Sequence, residues 1–161
     1  MSFCPIIMGS RSDLAHGEKI AEALAEFGIE SQIRVASAHK APEFLLNVLR
    51  LYKEDVRPKV YITIAGRSNA LSALVDAQVT APCIACPPYS DKFGGSDIFS
   101  SLRMPSGVAP AVVVNPGGAA LVAAKIFGLT NPEIAERVAQ MRCEMADKIQ
   151  RDDAALSGGD A

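Results

Sequence analysis

The chain has 161 residues, 49% of them hydrophobic and 21% charged, with a formal net charge of −2. That length suits one domain around one sizeable core. No basic run marks a nucleic-acid footprint, and no stretch approaches the roughly 20 apolar residues needed to span a bilayer. The start, Met1-Ser2-Phe3-Cys4-Pro5, lacks the basic residues and long apolar run of a secretory signal. A cytoplasmic enzyme or binding protein is expected, with a single α/β domain over 1–155 and a small, polar, frayed tail over 156–161. The composition is on the apolar side for a soluble domain of this size, which points to subunit interfaces and hence to an oligomer.

Taken in order, Pro5-Ile6-Ile7-Met8 is a short apolar run stopped by Gly9, which reads as a buried strand. After Gly9-Ser10-Arg11-Ser12-Asp13 a helix follows, with Ile20, Leu24 and Phe27 at helical spacing and Gly28 placed to end it. A second strand covers 29–35 and leads into Ser37-Ala38-His39-Lys40. Pro42 suits the first turn of the next helix, whose buried stripe is Phe44, Leu45, Val48, Leu49 and Tyr52. The β-branched and aromatic run 59–64 is a third strand. It breaks at Ala65-Gly66-Arg67-Ser68-Asn69, and a helix then runs to about Gln78. The fourth strand is Cys83-Ile84-Ala85-Cys86. A long loop with a short helix over 97–102 comes next, then a fifth strand, Ala111-Val112-Val113-Val114. Gly117-Gly118 opens an alanine-rich helix ending near Gly128, and Asn131-Pro132 starts the last helix, striped by Ile134, Val138, Met141 and Met145.

Strands alternating with helices, the strands being continuous apolar runs, predict a mostly parallel five-stranded sheet covered on both faces, a three-layer αβα sandwich of the flavodoxin/Rossmann-like kind. In the commonest order for such a sheet, strand one lies between strands two and three. Ligands bind beyond the carboxyl ends of the strands, where the order reverses. The turns after strands one, two and three then become neighbours. Each carries hydroxyls and a cation, and each feeds a helix N-terminus, whose free N–H groups and dipole favour an anion.

The inferred ligand is a phosphate monoester of a sugar. Gly9 and Gly66 let backbone approach it. Ser10, Ser12, Ser37, Ala38 and Lys40 supply hydroxyls, backbone and an ammonium group. Asp13 repels phosphate and is better used accepting from sugar hydroxyls, its competing role being an N-cap. Arg67, Ser68 and Asn69 could hold a second small anion or a carboxylate, the competing role of Ser68 or Asn69 again being a cap. His39 is the candidate proton carrier, because imidazole alone exchanges protons near neutrality without perturbation, its competing role being an incidental histidine on a surface loop. His16, early in the first helix, is expected to be solvated or at an interface. Cys83 and Cys86 form a C-x-x-C, but residues three apart on a strand face opposite ways, and no second pair or nearby histidine completes a metal site. They read as buried thiols.

These residues, in this order, resemble the 5-aminoimidazole ribonucleotide carboxylase family of purine synthesis. The resemblance rests on Met8-Gly9-Ser10-x-Ser12-Asp13, Ser37-Ala38-His39-Lys40, Ala65-Gly66-Arg67-Ser68-Asn69-Ala70-Leu71-Ser72, Cys86-Pro87-Pro88 and Ser100-Ser101-Leu102-Arg103-Met104-Pro105-Ser106-Gly107. It covers nearly the whole chain up to the last helix. One branch of that family is a mutase acting on N5-carboxyaminoimidazole ribonucleotide, with a third loop ending in histidine. The other takes carbon dioxide directly and carries A-G-R-S-N there, as this chain does, with Lys40 where mutases have arginine. Ala73 departs from the glycine common in that branch.

The resemblance implies reversible carboxylation of 5-aminoimidazole ribonucleotide to its 4-carboxy product, with His39 as base. It also implies no metal, cofactor or nucleotide triphosphate, a homo-tetramer or homo-octamer, and a role for Ser100, Ser101 and Arg103 in closing the site. The alternatives are the mutase and, more remotely, a non-catalytic phospho-ligand-binding domain.

Overall fold

The computed structural model describes residues 1–157. Five strands form one parallel sheet: β1 Phe3–Met8, β2 Glu30–Val35, β3 Tyr61–Ile64, β4 Cys83–Ala85 and β5 Ala111–Val112, in the spatial order β2-β1-β3-β4-β5. The connecting helices are α1 Leu14–Glu26, α2 Pro42–Glu54, α3 Ala70–Gln78, α4 Phe99–Leu102, α5 Pro116–Gly128 and α6 Pro132–Ser157. Two 3-10 turns, Arg11–Asp13 and Lys92–Ile98, precede α1 and α4. The expected order, with the first strand between the second and third, is the one found.

Alternation along the strands sorts side chains into two cores, because successive residues face opposite ways. Cys4, Ile6 and Met8 of β1, with Val60, Ile62 and Ile64, meet Ile20 and Leu24 of α1 and Ala119, Ala120, Ala123 and Ala124 of α5. Phe3 and Ile7, with Tyr61 and Cys83, meet Leu45, Val48, Leu49 and Tyr52 of α2 and Leu71 and Val75 of α3. The alanine face of α5 adds little bulk, so this helix can lie close to α1 and the sheet. Gly28, at φ +70, closes α1 in the left-handed conformation that glycine takes without a Cβ penalty.

Several boundaries differ from the sequence reading for identifiable reasons. The second strand is not an apolar run: β2 is Glu-Ser-Gln-Ile-Arg-Val at the sheet edge, and Val35 is 43% exposed. The third strand starts at Tyr61 rather than 59, with only an isolated bridge between Phe3 and Lys59 before it. Pro5 accounts for this. Phe3 and Gly9 donate their N–H groups toward the β3 side, so Pro5, between them in the same alternation, faces that side with no N–H to give. β5 has two residues rather than four, since the chain turns away to Asn115, whose Oδ1 accepts the Gly118 N–H and caps α5 (2.9 Å). α6 continues through Leu156 and Ser157, and the rest of the expected tail, 158–161, lies outside the described residues.

At the amino ends of the strands, Arg57 stacks 4.1 Å above the Phe3 ring and pairs with Asp55 (2.6 Å) and Glu30 (2.8 Å). Its guanidinium holds the Asp55 carboxyl well below the usual carboxylate range. The chemistry-bearing turns lie at the opposite ends. Among the described residues, no helix is long and apolar enough to cross a membrane.

Candidate active site

The register sets the site. Met8 pairs with Val35 on one side and with Ile64 on the other, so three strands end level. The next residues are tied across: Gly9 N–H donates to Ile64 O (2.9 Å), and Ala36 N–H donates to Met8 O (2.8 Å). Three turns therefore open side by side where the strand order reverses, as the rule for open α/β sheets requires. They enclose a cleft of about 480 Å³ lined by Gly9, Ser10, Ser12, Asp13, Ser37, Ala38, His39, Lys40, Ala65, Gly66, Arg67, Ser68 and Leu71. That volume is in the range of small-molecule sites.

Within the first turn, Ser10 Oγ accepts from the Ser12 N–H (3.2 Å) and lies 2.9 Å from Ser12 Oγ. Ser10 thus shapes the 3-10 turn while staying at the cleft. Asp13 precedes α1 but makes no side-chain capping bond, so the capping role is not the one it fills. The one hydrogen-bond contact of its carboxylate among the described residues is a weak one from Ser12 Oγ at 3.5 Å. In the second turn Ser37 Oγ accepts the Lys40 N–H (3.3 Å). His39 and Lys40 are exposed at the rim.

The third turn departs from expectation at Asn69. Asn69 is 3% exposed and does not line the cleft. Its Oδ1 accepts from Ser72 N–H (3.0 Å) and Ser72 Oγ (2.7 Å), capping α3, and its Nδ2 donates to Ser101 Oγ (2.8 Å). Ser72 Oγ in turn lies 2.7 Å from Thr63 Oγ1. The capping role, not the binding role, is the one the side chain fills. Arg67 and Ser68 do face the cleft. Arg67 sits at φ +55, a left-handed conformation that costs a residue with a Cβ about 1–2 kcal/mol. Ser100 accepts the Asn69 N–H (3.1 Å). Ser100 and Ser101 thus brace the third turn from behind, whereas Arg103 is exposed and away from the cleft lining. Leu71 also lines the cleft; it escapes a search for polar chemistry because it offers only an apolar surface.

His16 is half-buried and has a partner. Its ring Nε2 lies 3.2 Å from Cys86 O and 3.3 Å from Cys86 Sγ. Burial lowers its pKa against the opposing pull of the Cys86 carbonyl. It borders a larger cleft of about 760 Å³ that shares Gly66 with the first but holds none of the His39 turn. Cys83 and Cys86 fall in opposite cores, and burial pushes both thiols up to about 12. A thiol so held is a poor nucleophile. Among the described residues, no group of three His, Cys, Asp or Glu side chains is placed to hold a metal ion.

The AIR carboxylase family model matches residues 4–148. A phosphoribosylaminoimidazole carboxylase of Treponema denticola is 56% identical over 151 residues, covering 94% of this chain and 95% of that protein. One of Archaeoglobus fulgidus is 55% identical over 152 residues, covering 94% of this chain and 83% of that protein. The crystal structure of Treponema denticola PurE superposes with a TM-score of 0.95 at 54% identity, covering 97% of this chain and 99% of that one.

Proposed function

This chain belongs to the AIR carboxylase family, and we propose that it catalyses the reaction its relatives are named for. That reaction is the reversible carboxylation of 5-aminoimidazole ribonucleotide by carbon dioxide. The observation that supports this most is the meeting of His39 with the Gly9 and Gly66 turns around one cleft.

The chemistry follows from the substrate. The aminoimidazole ring is an enamine, so its ring carbon is nucleophilic and attacks carbon dioxide unaided by redox chemistry. The carbon then bears both a proton and a carboxylate, and loss of that proton restores aromaticity. His39 is the base that takes the proton and returns it in the reverse direction. The new carboxylate is met by Arg67 and Ser68, and by Lys40. Ser10, Ser12, Ser37 and the backbone of Gly9 and Ala38 hold the phosphate, and Asp13 accepts from the ribose hydroxyls. Substrate, carbon dioxide, product and one proton balance the step, with no cofactor required.

The assembly is a homo-tetramer or homo-octamer, supported by large side chains left exposed on α4, after β5 and along α6: Phe99 and Leu102, Val114, and Met145, Ile149 and Leu156. A cytoplasmic location fits a biosynthetic enzyme of this kind. Light scattering on the eluting protein reads the mass directly.

The assignment is tested by giving purified protein 5-aminoimidazole ribonucleotide with bicarbonate, and separately N5-carboxyaminoimidazole ribonucleotide. Turnover of the first is expected, and turnover of only the second makes the protein a mutase. His39→Asn should lose turnover by at least about 100-fold, the lower end for a general base, while still binding the ribonucleotide. A His39→Asn protein with parental turnover removes His39 from the mechanism.

A further inference from the structure

One segment outside the cleft touches the third turn at three points. Asp97 Oδ2 accepts the Arg67 N–H (3.1 Å), Ser100 Oγ accepts the Asn69 N–H (3.1 Å), and Ser101 Oγ accepts from Asn69 Nδ2 (2.8 Å). The two serines secure Asn69, which caps α3 and stays put without further help. Asp97 secures Arg67, the one residue of the turn in the left-handed region, at φ +55. A carboxylate beside an arginine would ordinarily pair with the guanidinium. Here it takes the backbone amide, and among the described residues the Arg67 guanidinium makes no ion pair. At 3.1 Å this is an ordinary N–H···O hydrogen bond, made by a side-chain oxygen that an amide could replace.

We propose that Asp97 is a positioning residue for carboxylation: by accepting the Arg67 N–H it holds that residue left-handed, so that the guanidinium stays free and directed to the cleft. This rests on reading the cleft as the substrate site. Asp97 lines the neighbouring 760 Å³ cleft rather than this one, so it acts through Arg67 and not on substrate.

The experiment compares Asp97→Ala, Asp97→Asn, Arg67→Ala and the double variant Asp97→Ala/Arg67→Ala, measuring kcat and KM for 5-aminoimidazole ribonucleotide. Loss of one exposed hydrogen bond predicts that Asp97→Ala loses about three- to tenfold in kcat/KM. Asp97→Asn keeps an acceptor oxygen and should restore most of that loss. In the Arg67→Ala background, removing Asp97 should cost little more, because the group it positions is already gone. Equal losses in Asp97→Ala and Asp97→Asn, or losses that simply multiply in the double variant, overturn the proposal. Arg67→Ala with parental kinetics overturns the reading of the cleft, and the proposal with it. If Asp97→Ala folds poorly, Arg67→Gly is added, since glycine takes positive φ freely. Recovery of folding without recovery of kcat/KM supports the assignment, and continued misfolding overturns it.

Discussion

Replacing Asn69 with alanine should damage stability more than chemistry. The Asn69 amide makes three side-chain hydrogen bonds inside the protein, to Ser72 N–H, Ser72 Oγ and Ser101 Oγ. Removing the cap of α3 costs about 1 kcal/mol. The Ser72 hydroxyl can turn to Thr63 Oγ1, 2.7 Å away, so its loss is largely repaired. Ser101 is 2% exposed and loses its donor, which adds about 1–2 kcal/mol for an unsatisfied buried group. The sum, about 2–3 kcal/mol, lowers Tm by roughly 5–10 °C in a chain of this size. Urea unfolding at one fixed protomer concentration measures it, because assembly makes apparent stability concentration-dependent. The m-value should not change, since the same surface is exposed on unfolding. Ser68→Ala, at an exposed position one residue earlier, is the control and should stay within about 0.5 kcal/mol. If Asn69→Ala loses less than about 0.5 kcal/mol while its KM rises as Arg67→Ala's does, the amide swings out to substrate and the capping argument is wrong.

Gly128→Ala should destabilise, against the usual gain from alanine in a helix. A Cβ at Gly128 would lie 3.3 Å from Ala135 Cα and 3.4 Å from Ala135 N, backbone atoms that cannot rotate away. A loss of about 1 kcal/mol is expected from such overpacking, and a raised urea midpoint refutes it. His16 gives a pH dependence of known sign. Burial lowers its pKa in the folded chain below the ordinary 6.5, so just below pH 6.5 the unfolded chain binds the proton more readily. Stability from this residue is present above pH 6.5 and is lost as pH falls toward the folded pKa. The urea midpoint of the parent should therefore drop more between pH 7.5 and 5.5 than that of His16→Gln. Parallel profiles would show that His16 does not contribute to the slope.

The convergence of three turns was legible because Gly9 and Gly66 stop apolar runs at two strand ends and polar residues gather after all three. Those runs also carry the parallel order that brings the turns together. Asn69 stands open between ligand group and cap in the sequence because a helix cap and an anion site call for the same atoms at the same place, and only burial separates them. His16 escaped because its partner is a backbone carbonyl 70 residues away, and no side-chain pattern announces a carbonyl. Asp97 gave no signal for the same reason in reverse: it meets an amide N–H, which every residue but proline has. The turn Lys92–Ile98 has no periodicity to find, since Phe93, Gly94 and Gly95 all take positive φ. Pro5 could have been read. A proline in a central strand implies a missing rung, and the late start of β3 is that rung.

Because Met8, Val35 and Ile64 finish their strands abreast, the cleft has little tolerance for insertions or deletions beneath it. Dropping one residue from β1 would withdraw Gly9 by about 3.3 Å relative to Ala65. It would also turn Ile6 and Met8 toward the wrong helical layer. Recognition and core packing would fail in a single event. Substitutions within the turns carry no such penalty, because a new side chain there leaves the ladder below undisturbed.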